Sequence, residues 1–371
     1  MKRFAALALV ACSSSARAPE PVKPTPVVAV HDEPVPVTAA PAVQQPIPTV
    51  HGKHDVAEAP HGGQIMTLAV SPDGATALSA DELGGVRLWP TLDGKTEPRI
   101  VDMPLAKRLA IGKIAGGFSA VALDEAGGLY VAKLDDTGRQ LSHTTVPAEP
   151  AITGMAMSDV GLVAWRADQT IVVIDPNGAT KERLGTEPQQ RLIAVAVNGK
   201  RAVVVLEREG TKRQARWLQL QPKLAWGAWI KLDSELAESM DLALSPSGKR
   251  IGVLAAVTPP DKSIVQAHTM VALFELAKGK ALTSTPFAQV AEIAFADDDH
   301  VAVGGLSGLS WLDLTEPQPK LSQTTPGSPG ARTEPMLGAG AGHAVTAING
   351  ELVISTPTKT EFLGYDTISP R

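Results

Sequence analysis

Short apolar segments alternate with clusters of turn residues along most of the chain, and this pattern predicts seven β-hairpins. In each hairpin an apolar-alternating run reaches a cluster of Asp, Asn, Ser or Gly, and a second apolar run follows. The seven turns lie at residues 71–74, 124–128, 158–161, 198–199, 245–248, 297–299 and 349–350. A third apolar run follows several hairpins, as at residues 171–175, 216–220, 270–274 and 309–313. Helical periodicity is nearly absent, so the pattern predicts an all-β protein.

The turns recur at intervals of about 46 residues, close to the period of one propeller blade. Residues 61–371 are therefore predicted to form one β-propeller of seven four-stranded blades. Six or eight blades stay open as alternatives because the spacing is irregular. The last unit, residues 342–365, has room for about three strands. The ring is therefore expected to close by pairing of N- and C-terminal strands, with residues 49–57 as the closing strand.

The first repeat resembles a WD40 repeat. The resemblance rests on a His-Gly start at His61, the Ser-Pro-Asp-Gly turn at residues 71–74, and a third strand that ends Val-Arg-Leu-Trp at Trp89. It implies a propeller fold and a monomeric ring. Leu83 stands where the family usually carries a structural Asp, and this departure argues against the side-chain network that braces many WD40 blades.

The N-terminus carries an export signal. Lys2 and Arg3 precede an apolar run at residues 4–10 that is too short to span a bilayer, so residues 1–11 are predicted to be a signal peptide. The sequence Leu-Val-Ala-Cys at residues 9–12 resembles the lipobox of bacterial lipoproteins, which implies cleavage before Cys12 and acylation of it, palmitate included. Ser13 in place of Asp favours the outer membrane, facing the periplasm, with surface display as an alternative.

Residues 12–60 are rich in Pro, Val, Ala and Thr and contain few large apolar side chains. Such a composition cannot bury a core and favours extended polyproline II conformations. We expect this segment to be a tether between the lipid and the propeller. No later segment is long and apolar enough to cross a bilayer, so the lipid on Cys12 is the only expected membrane contact.

Charge and composition exclude several classes of partner. The formal net charge of the chain is −5, and removal of Lys2 and Arg3 with the signal peptide takes it to −7. This acidic balance gives no attraction to nucleic acid. Aromatic residues make up 4% of the chain, so neither a sugar-binding site nor a single-strand nucleic-acid site is favoured.

Few residues point to chemistry. There is no Gly-rich phosphate loop, nucleophile elbow or zinc motif. His51 and His54 lack the further ligands that a metal site needs. The three Asp residues at 297–299 are predicted to form a solvated turn, because a calcium loop also needs a Gly and a downstream Glu. No metal or cofactor is expected. Asp241 and Glu292, at the starts of two predicted inner strands, are the nearest acidic candidates for catalysis at a channel mouth.

Two insertions between second and third strands are more suggestive of binding. They span residues 207–214 in blade four and 258–266 in blade five, and equivalent loops emerge on one face of a propeller. The candidate partner-binding residues are Arg208, Lys212, Arg213, Arg216, Asp261 and Lys262. The sequence therefore predicts a lipid-anchored protein-interaction platform in the bacterial envelope, with an unidentified protein partner. A periplasmic propeller hydrolase or lactonase-like enzyme is the alternative.

Overall fold

A computed structural model describes residue 61 and residues 64–365. Short gaps fall at 94–95, 97, 209–211, 233–235, 237–238, 258–267, 289, 306–307, 317–318, 327–336 and 349–350. The signal peptide, Cys12, the tether and the predicted closing strand at 49–57 lie outside the described residues, as do Asp261 and Lys262.

Seven separate sheets are present, and each consists of four antiparallel strands that are consecutive in the sequence. The strands of blades one to four are β1 Ile65–Val70, β2 Ala77–Asp81, β3 Val86–Trp89, β4 Arg99–Val101, β5 Arg108–Ile114, β6 Gly117–Leu123, β7 Leu129–Asp135, β8 Gln140–Val146, β9 Ile152–Ser158, β10 Gly161–Arg166, β11 Thr170–Ile174, β12 Thr180–Gly185, β13 Gln190–Asn198, β14 Arg201–Arg208, β15 Lys212–Gln219 and β16 Ala225–Ile230. Those of blades five to seven are β17 Ser239–Leu244, β18 Arg250–Val257, β19 His268–Glu275, β20 Lys280–Ala288, β21 Val290–Phe295, β22 His300–Gly305, β23 Gly308–Asp313, β24 Lys320–Pro326, β25 Leu337–Gly340, β26 His343–Ile348, β27 Glu351–Ser355 and β28 Thr360–Tyr365. The prediction of a seven-bladed, all-β propeller is confirmed.

The core lies between neighbouring blades rather than in one central layer. One buried cluster joins Leu88 of blade one to Ile111, Phe118 and Leu134 of blade two. The strands of such blades are apolar on both faces because each sheet packs against a sheet on either side. Each fully buried Leu, Ile or Phe contributes about 1.5–3 kcal/mol to stability. Stability is therefore spread around the ring and depends on every blade-to-blade interface.

Asp-x-x-Gly turns close several of the hairpins. In blade one, Oδ1 of Asp81 accepts hydrogen bonds from the amides of Leu83 and Gly85, at 3.0 and 2.7 Å. Gly84 has a φ of 86°, a conformation that side chains disfavour. The turns that start at Asp124, Asp135 and Asp175 repeat the Asp-to-amide bond to the residue four positions later. Local turn chemistry therefore fixes the register of the hairpins.

The seventh blade corrects the prediction for ring closure. All four of its strands come from the C-terminal part of the chain, and the inner strand β25 precedes the point where the sequence pattern starts the last unit. The pattern misses β25 because its sequence, Leu-Gly-Ala-Gly, has almost no strand propensity. The seventh blade thus needs no strand from the N-terminal segment.

The ring closes by packing of blade one against blade seven. Ile65, Leu68 and Trp89 share a buried cluster with Val345 and Leu352. At the same junction the turn glycine of blade one meets the end of β25, where a Cβ on Gly74 would collide with the backbone of Gly340. Two glycines therefore allow the first and last blades to approach closely.

One end of the ring carries a belt of hydrogen bonds between the turns that join first and second strands. Asn198 Nδ2 donates to the carbonyl oxygen of Ser245 at 2.5 Å, linking blades four and five. The amide of Ser247 donates to Asp298 Oδ1 at 2.9 Å, and Arg250 pairs with Asp299 at 2.6 Å, linking blades five and six. The three-Asp turn, whose side chains stay partly solvated as predicted, is therefore also a blade-to-blade contact.

Across the part of the chain that the structure describes, no helix has the length and apolar character needed to span a membrane.

Candidate functional site on the outer surface of blade four

The central channel is small, and most of the residues that line it have apolar side chains. A cavity of about 330 Å³ lies between the seven inner strands and is lined by residues such as Leu68, Met157 and Phe295. Arg108 is exposed at one rim, and Asp241 is half-buried nearby. Burial raises the pKa of Asp241 to about 6, while hydrogen bonds from the amides of Leu242 and Ile293, and the charge of Arg108, act in the opposite direction.

The two acids named as catalytic candidates both bond to backbone amides. Asp241 accepts from the amide of Leu242 at 2.8 Å and from that of Ile293 in the next blade. Glu292 accepts from the amide of Leu337 at 2.5 Å, which links blade six to blade seven. Within the described ranges, no group of three or more His, Cys, Asp or Glu side chains is placed to hold a metal ion. This geometry assigns Asp241 and Glu292 a role in joining blades.

Blade one contains a side-chain network, although Leu83 in place of the usual Asp of a WD40 repeat argues against one. His61 Nδ1 lies 3.1 Å from Asp81 Oδ2, and His61 Nε2 lies 2.7 Å from Ser79 Oγ. Trp89 Nε1 donates to the same Ser79 oxygen at 2.8 Å. The expectation from Leu83 is therefore wrong, because Asp81, two positions earlier, supplies the carboxylate. Burial lowers the pKa of His61, although Asp81 opposes this effect.

In blade four, the predicted loop at residues 207–214 is mostly strand. Arg208 ends β14, and Lys212 and Arg213 begin β15. Lys212 is exposed, whereas Arg213 is half-buried and pairs with Glu207 at 3.2 Å. Arg191 contacts the same carboxylate at 3.1 Å, and its hydrogen bond is the largest influence lowering the pKa of Glu207. Much of the predicted positive charge at this hairpin is therefore already paired.

Arg216, the fourth residue predicted there, lies among aromatic side chains. Its Cζ atom is 5.2 Å from the ring centroid of Trp226 and 4.8 Å from that of Trp229. Its Nη1 contacts Glu187 at 2.8 Å, and its Nε donates to the carbonyl oxygen of Gly227 at 3.0 Å. Arg216 thus holds two half-buried tryptophans in place on the side of blade four that faces blade three.

A larger cavity lies on the other side of blade four, at the end opposite the predicted loop. It has a volume of about 690 Å³ and is lined by Lys200, Arg201, Trp217, Leu218, Gln219, Gln221, Pro222 and Gly227. Arg201 Cζ lies 6.0 Å from the ring centroid of Trp217. Gly227 allows β16 to lie close to Trp217, because a Cβ there would lie 2.9 Å from the Trp217 Cβ. We call these residues the blade-four pocket.

The blade-four pocket is the feature that sequence reasoning misses. An aromatic content of 4% argues against exposed aromatic surfaces, but an average over the chain hides their distribution. Three of the six tryptophans, Trp217, Trp226 and Trp229, lie on two adjacent strands of this one blade. Their closeness in the sequence is the signal that could locate the surface.

The fold defines the chain as a seven-bladed β-propeller. The chain is similar to Hsv2 of Kluyveromyces lactis, with 11% identity, a TM-score of 0.53, and coverage of 81% of this chain and 93% of that one. It is also similar to hydrazine synthase of Kuenenia stuttgartiensis, with 13% identity, a TM-score of 0.53, and coverage of 84% and 98%. The WD40 repeats of RRP9 match with 16% identity, a TM-score of 0.51, and coverage of 81% and 89%.

No family model matches the sequence, and neither does any curated protein. At such low identities the likeness to solved structures shows the fold alone. Function must therefore be argued from the surfaces of this chain.

Proposed function

We propose that this protein is a lipid-anchored, extracytoplasmic β-propeller that acts as a protein-interaction platform in the bacterial envelope. The observation that carries the proposal is the outer surface of blade four, where Trp217, Trp226 and Trp229 lie half-buried beside Arg201 and Arg216. Trp and Arg are the residues most enriched at the energetic centres of protein interfaces. Aromatic rings held by cations also lose little side-chain entropy when a partner binds.

The anchor in this proposal rests on the N-terminal sequence. Its basic start, short apolar run and Leu-Val-Ala-Cys motif support export and acylation at Cys12. The Pro-rich residues 13–60 then separate the propeller from the membrane. Ser13 supports an outer-membrane position facing the periplasm. The partner is a protein, and the propeller itself is proposed to be monomeric.

The experiment is cross-linking in intact cells, followed by purification from the membrane fraction and identification of co-purifying proteins. We expect a specific partner with the parent chain, and loss of both membrane association and partner with Cys12→Ala. Met66→Ala, a change in the propeller, serves as an expression control that keeps the anchor. A parent preparation free of partners would contradict the platform, and membrane association that survives Cys12→Ala would contradict the anchor.

One observation favours the alternative of a propeller enzyme. A carboxyl group with a pKa of about 6 beside a channel, as at Asp241, is a feature of many acid–base sites. The bonds from Asp241 to the amides of Leu242 and Ile293 argue for a structural role instead. We expect Asp241→Asn to retain partner capture in the cross-linking experiment. Loss of partner capture with a correctly folded Asp241→Asn variant would indicate that the central channel takes part in the function.

A further inference from the structure

We infer that the blade-four pocket binds an acidic, extended segment of the partner protein, with a carboxylate at Lys200 and Arg201 and an apolar side chain against Trp217. This inference rests on the proposed interaction function and adds the chemistry of the partner. It concerns the end of blade four opposite the residues that the sequence singles out.

The shape of the pocket suits a few side chains of a peptide. It lies between the turn that joins β13 to β14 and the connection from β15 to β16. Its volume of about 690 Å³ is within the range of sites that enclose small ligands. The side-chain amide of Gln219 donates to the carbonyl oxygen of Gln221 at 2.5 Å, and the side-chain amide of Gln221 can bond to a peptide backbone. Gly227, which also lines the pocket, adds no side chain to it.

The cations of the pocket differ from three arginines elsewhere on blade four. Arg191, Arg213 and Arg216 each contact a glutamate at 3.2 Å or less. Lys200 and Arg201 are exposed, and neither forms an ion pair with any residue in the described part of the chain. A carboxylate that enters the pocket therefore meets two cations without displacing an existing partner, and Arg can bind it through two parallel hydrogen bonds.

The adjoining sheet edge is also suited to an extended segment. Of the seven outermost strands that the structure describes, β16 is the one whose sequence, Ala-Trp-Gly-Ala-Trp-Ile, has neither a charged nor a hydroxyl side chain. Charged residues on edge strands normally prevent association with other chains. An apolar edge beside a cationic pocket favours a segment in which acidic and apolar residues alternate.

An acidic protein segment fits this surface better than a polyanion does. The net charge of the whole chain is −5, so the chain as a whole gives no attraction to a polyanion. A nucleic acid or an anionic membrane presents many charges over a wide area and would be repelled by the remaining surface. A short segment with a few carboxylates can place them in the pocket alone. Electrostatic complementarity of this kind gives specificity and fast association.

The test measures peptide binding to the purified full-length chain by fluorescence anisotropy. The probes are a labelled Leu-Glu-Leu-Asp-Leu-Glu peptide and its neutral counterpart, Leu-Gln-Leu-Asn-Leu-Gln. We expect the acidic peptide to bind at least tenfold more tightly. We expect the double variant Lys200→Gln, Arg201→Gln to weaken its binding about tenfold, and higher salt to do the same. Replacement of Leu by Ala in the acidic peptide should also weaken binding, because Trp217 loses its apolar contact.

The matched control is Lys181→Gln with Arg183→Gln, which removes two exposed cations from β12 of blade three. It should leave the affinity within about twofold of the parent, and circular dichroism confirms that both variants fold. Equal binding of the two peptides, equal loss in the control, or no binding at about 1 mM peptide would overturn the inference. Binding to phosphatidylglycerol vesicles but not to the acidic peptide would overturn it in favour of a lipid surface.

The inference and the platform can fail separately. The Lys200→Gln, Arg201→Gln variant could capture the partner from cells as well as the parent chain does. That outcome would support the interaction platform and refute the pocket as the site where the partner binds. Absence of any captured partner, with tight and selective peptide binding, would refute the platform proposal as tested and leave the pocket as a peptide site.

Discussion

Blade one and blade four place the same residue type in opposite environments. Trp89 of blade one is 1% exposed, and its ring nitrogen donates to Ser79 inside a network of buried side chains. Trp217, Trp226 and Trp229 of blade four are half-buried and lie beside arginines at the outer surface. Blade one uses tryptophan to brace the fold, whereas blade four keeps ring surface open to solvent.

The difference teaches that the position of a tryptophan within a blade decides its role. Trp89 ends the third strand of its blade and points into the interface with blade seven. Trp226 and Trp229 lie on the outermost strand of blade four, whose outer edge has no paired strand, and they pack partly against blade three. A buried aromatic contributes mainly to stability, whereas one that is half-exposed keeps ring surface that a partner can bury.

The largest expected effect is on stability, from Trp89→Ala. Removal of a fully buried tryptophan leaves a cavity and should lower the free energy of unfolding by about 3–5 kcal/mol. The paired variant Trp229→Ala should cost less than about 2 kcal/mol because that ring is already partly in solvent. Urea denaturation of the two variants measures both values. Equal losses of unfolding free energy in the two variants would contradict the difference in role between the two tryptophans.

A smaller loss should follow from Ser79→Ala. This change removes the oxygen shared by His61 and Trp89 and leaves both buried ring nitrogens short of a partner. The cost of such unsatisfied groups is about 1–3 kcal/mol. Ser142→Ala, on the exposed strand β8, is the matched control and should be close to neutral. Thermal unfolding followed by circular dichroism measures the difference, and a neutral Ser79→Ala would show that the network adds little.

The third effect is a pH dependence in blade one. Burial is the largest influence that lowers the pKa of His61 from 6.5; Arg87 also lowers it, while Asp81 raises it. The unfolded chain therefore binds a proton near pH 6.5 that the folded chain binds only at lower pH. Stability from this group is present above pH 6.5 and is lost as the pH falls below it.

The measurement compares the parent chain with His61→Gln by urea denaturation at pH 7.5 and pH 5. The stability gap between them should be larger at pH 7.5, because other titrating groups contribute equally to both proteins. A gap that stays constant between the two pH values would contradict the lowered pKa of His61.

The smallest expected effect on stability is that of the pocket substitutions. Lys200→Gln with Arg201→Gln should change the free energy of unfolding by less than about 0.5 kcal/mol, since both side chains are exposed. The same double variant is expected to lose peptide binding about tenfold. A destabilisation as large as that of Ser79→Ala would mean that these cations serve the fold, and the contrast with blade one would disappear.

Much of the fold could be predicted from local patterns. The Ser-Pro-Asp-Gly turn at residues 71–74 and the apolar run before it identify the first hairpin, and repetition of that unit gives the seven blades. The inner strand β25 escapes prediction because Gly338 and Gly340 fit only the close approach of blade one. Likewise, spacing alone does not identify Asp81 as the partner of His61. The WD40 pattern places the carboxylate at position 83, whereas the folded chain brings the carboxylate of Asp81 into contact with His61.

The candidate site was less accessible to prediction. The basic residues at 208–216 were visible in the sequence, but the pairing of Arg213 with Glu207 and of Arg216 with Glu187 depends on which strands lie side by side. The blade-four pocket assembles from a turn, a strand and a connection that are separated in the chain.

The sequence by itself determined the all-β class and most hairpin turns and favoured seven blades over six or eight, because period-two alternation and turn chemistry act over a few residues. The tertiary structure alone decided how the ring closes, which acids bond to the next blade, and which tryptophans stay exposed. These properties depend on packing between segments distant in sequence, where distance and burial, rather than residue type, set the strength of each contact.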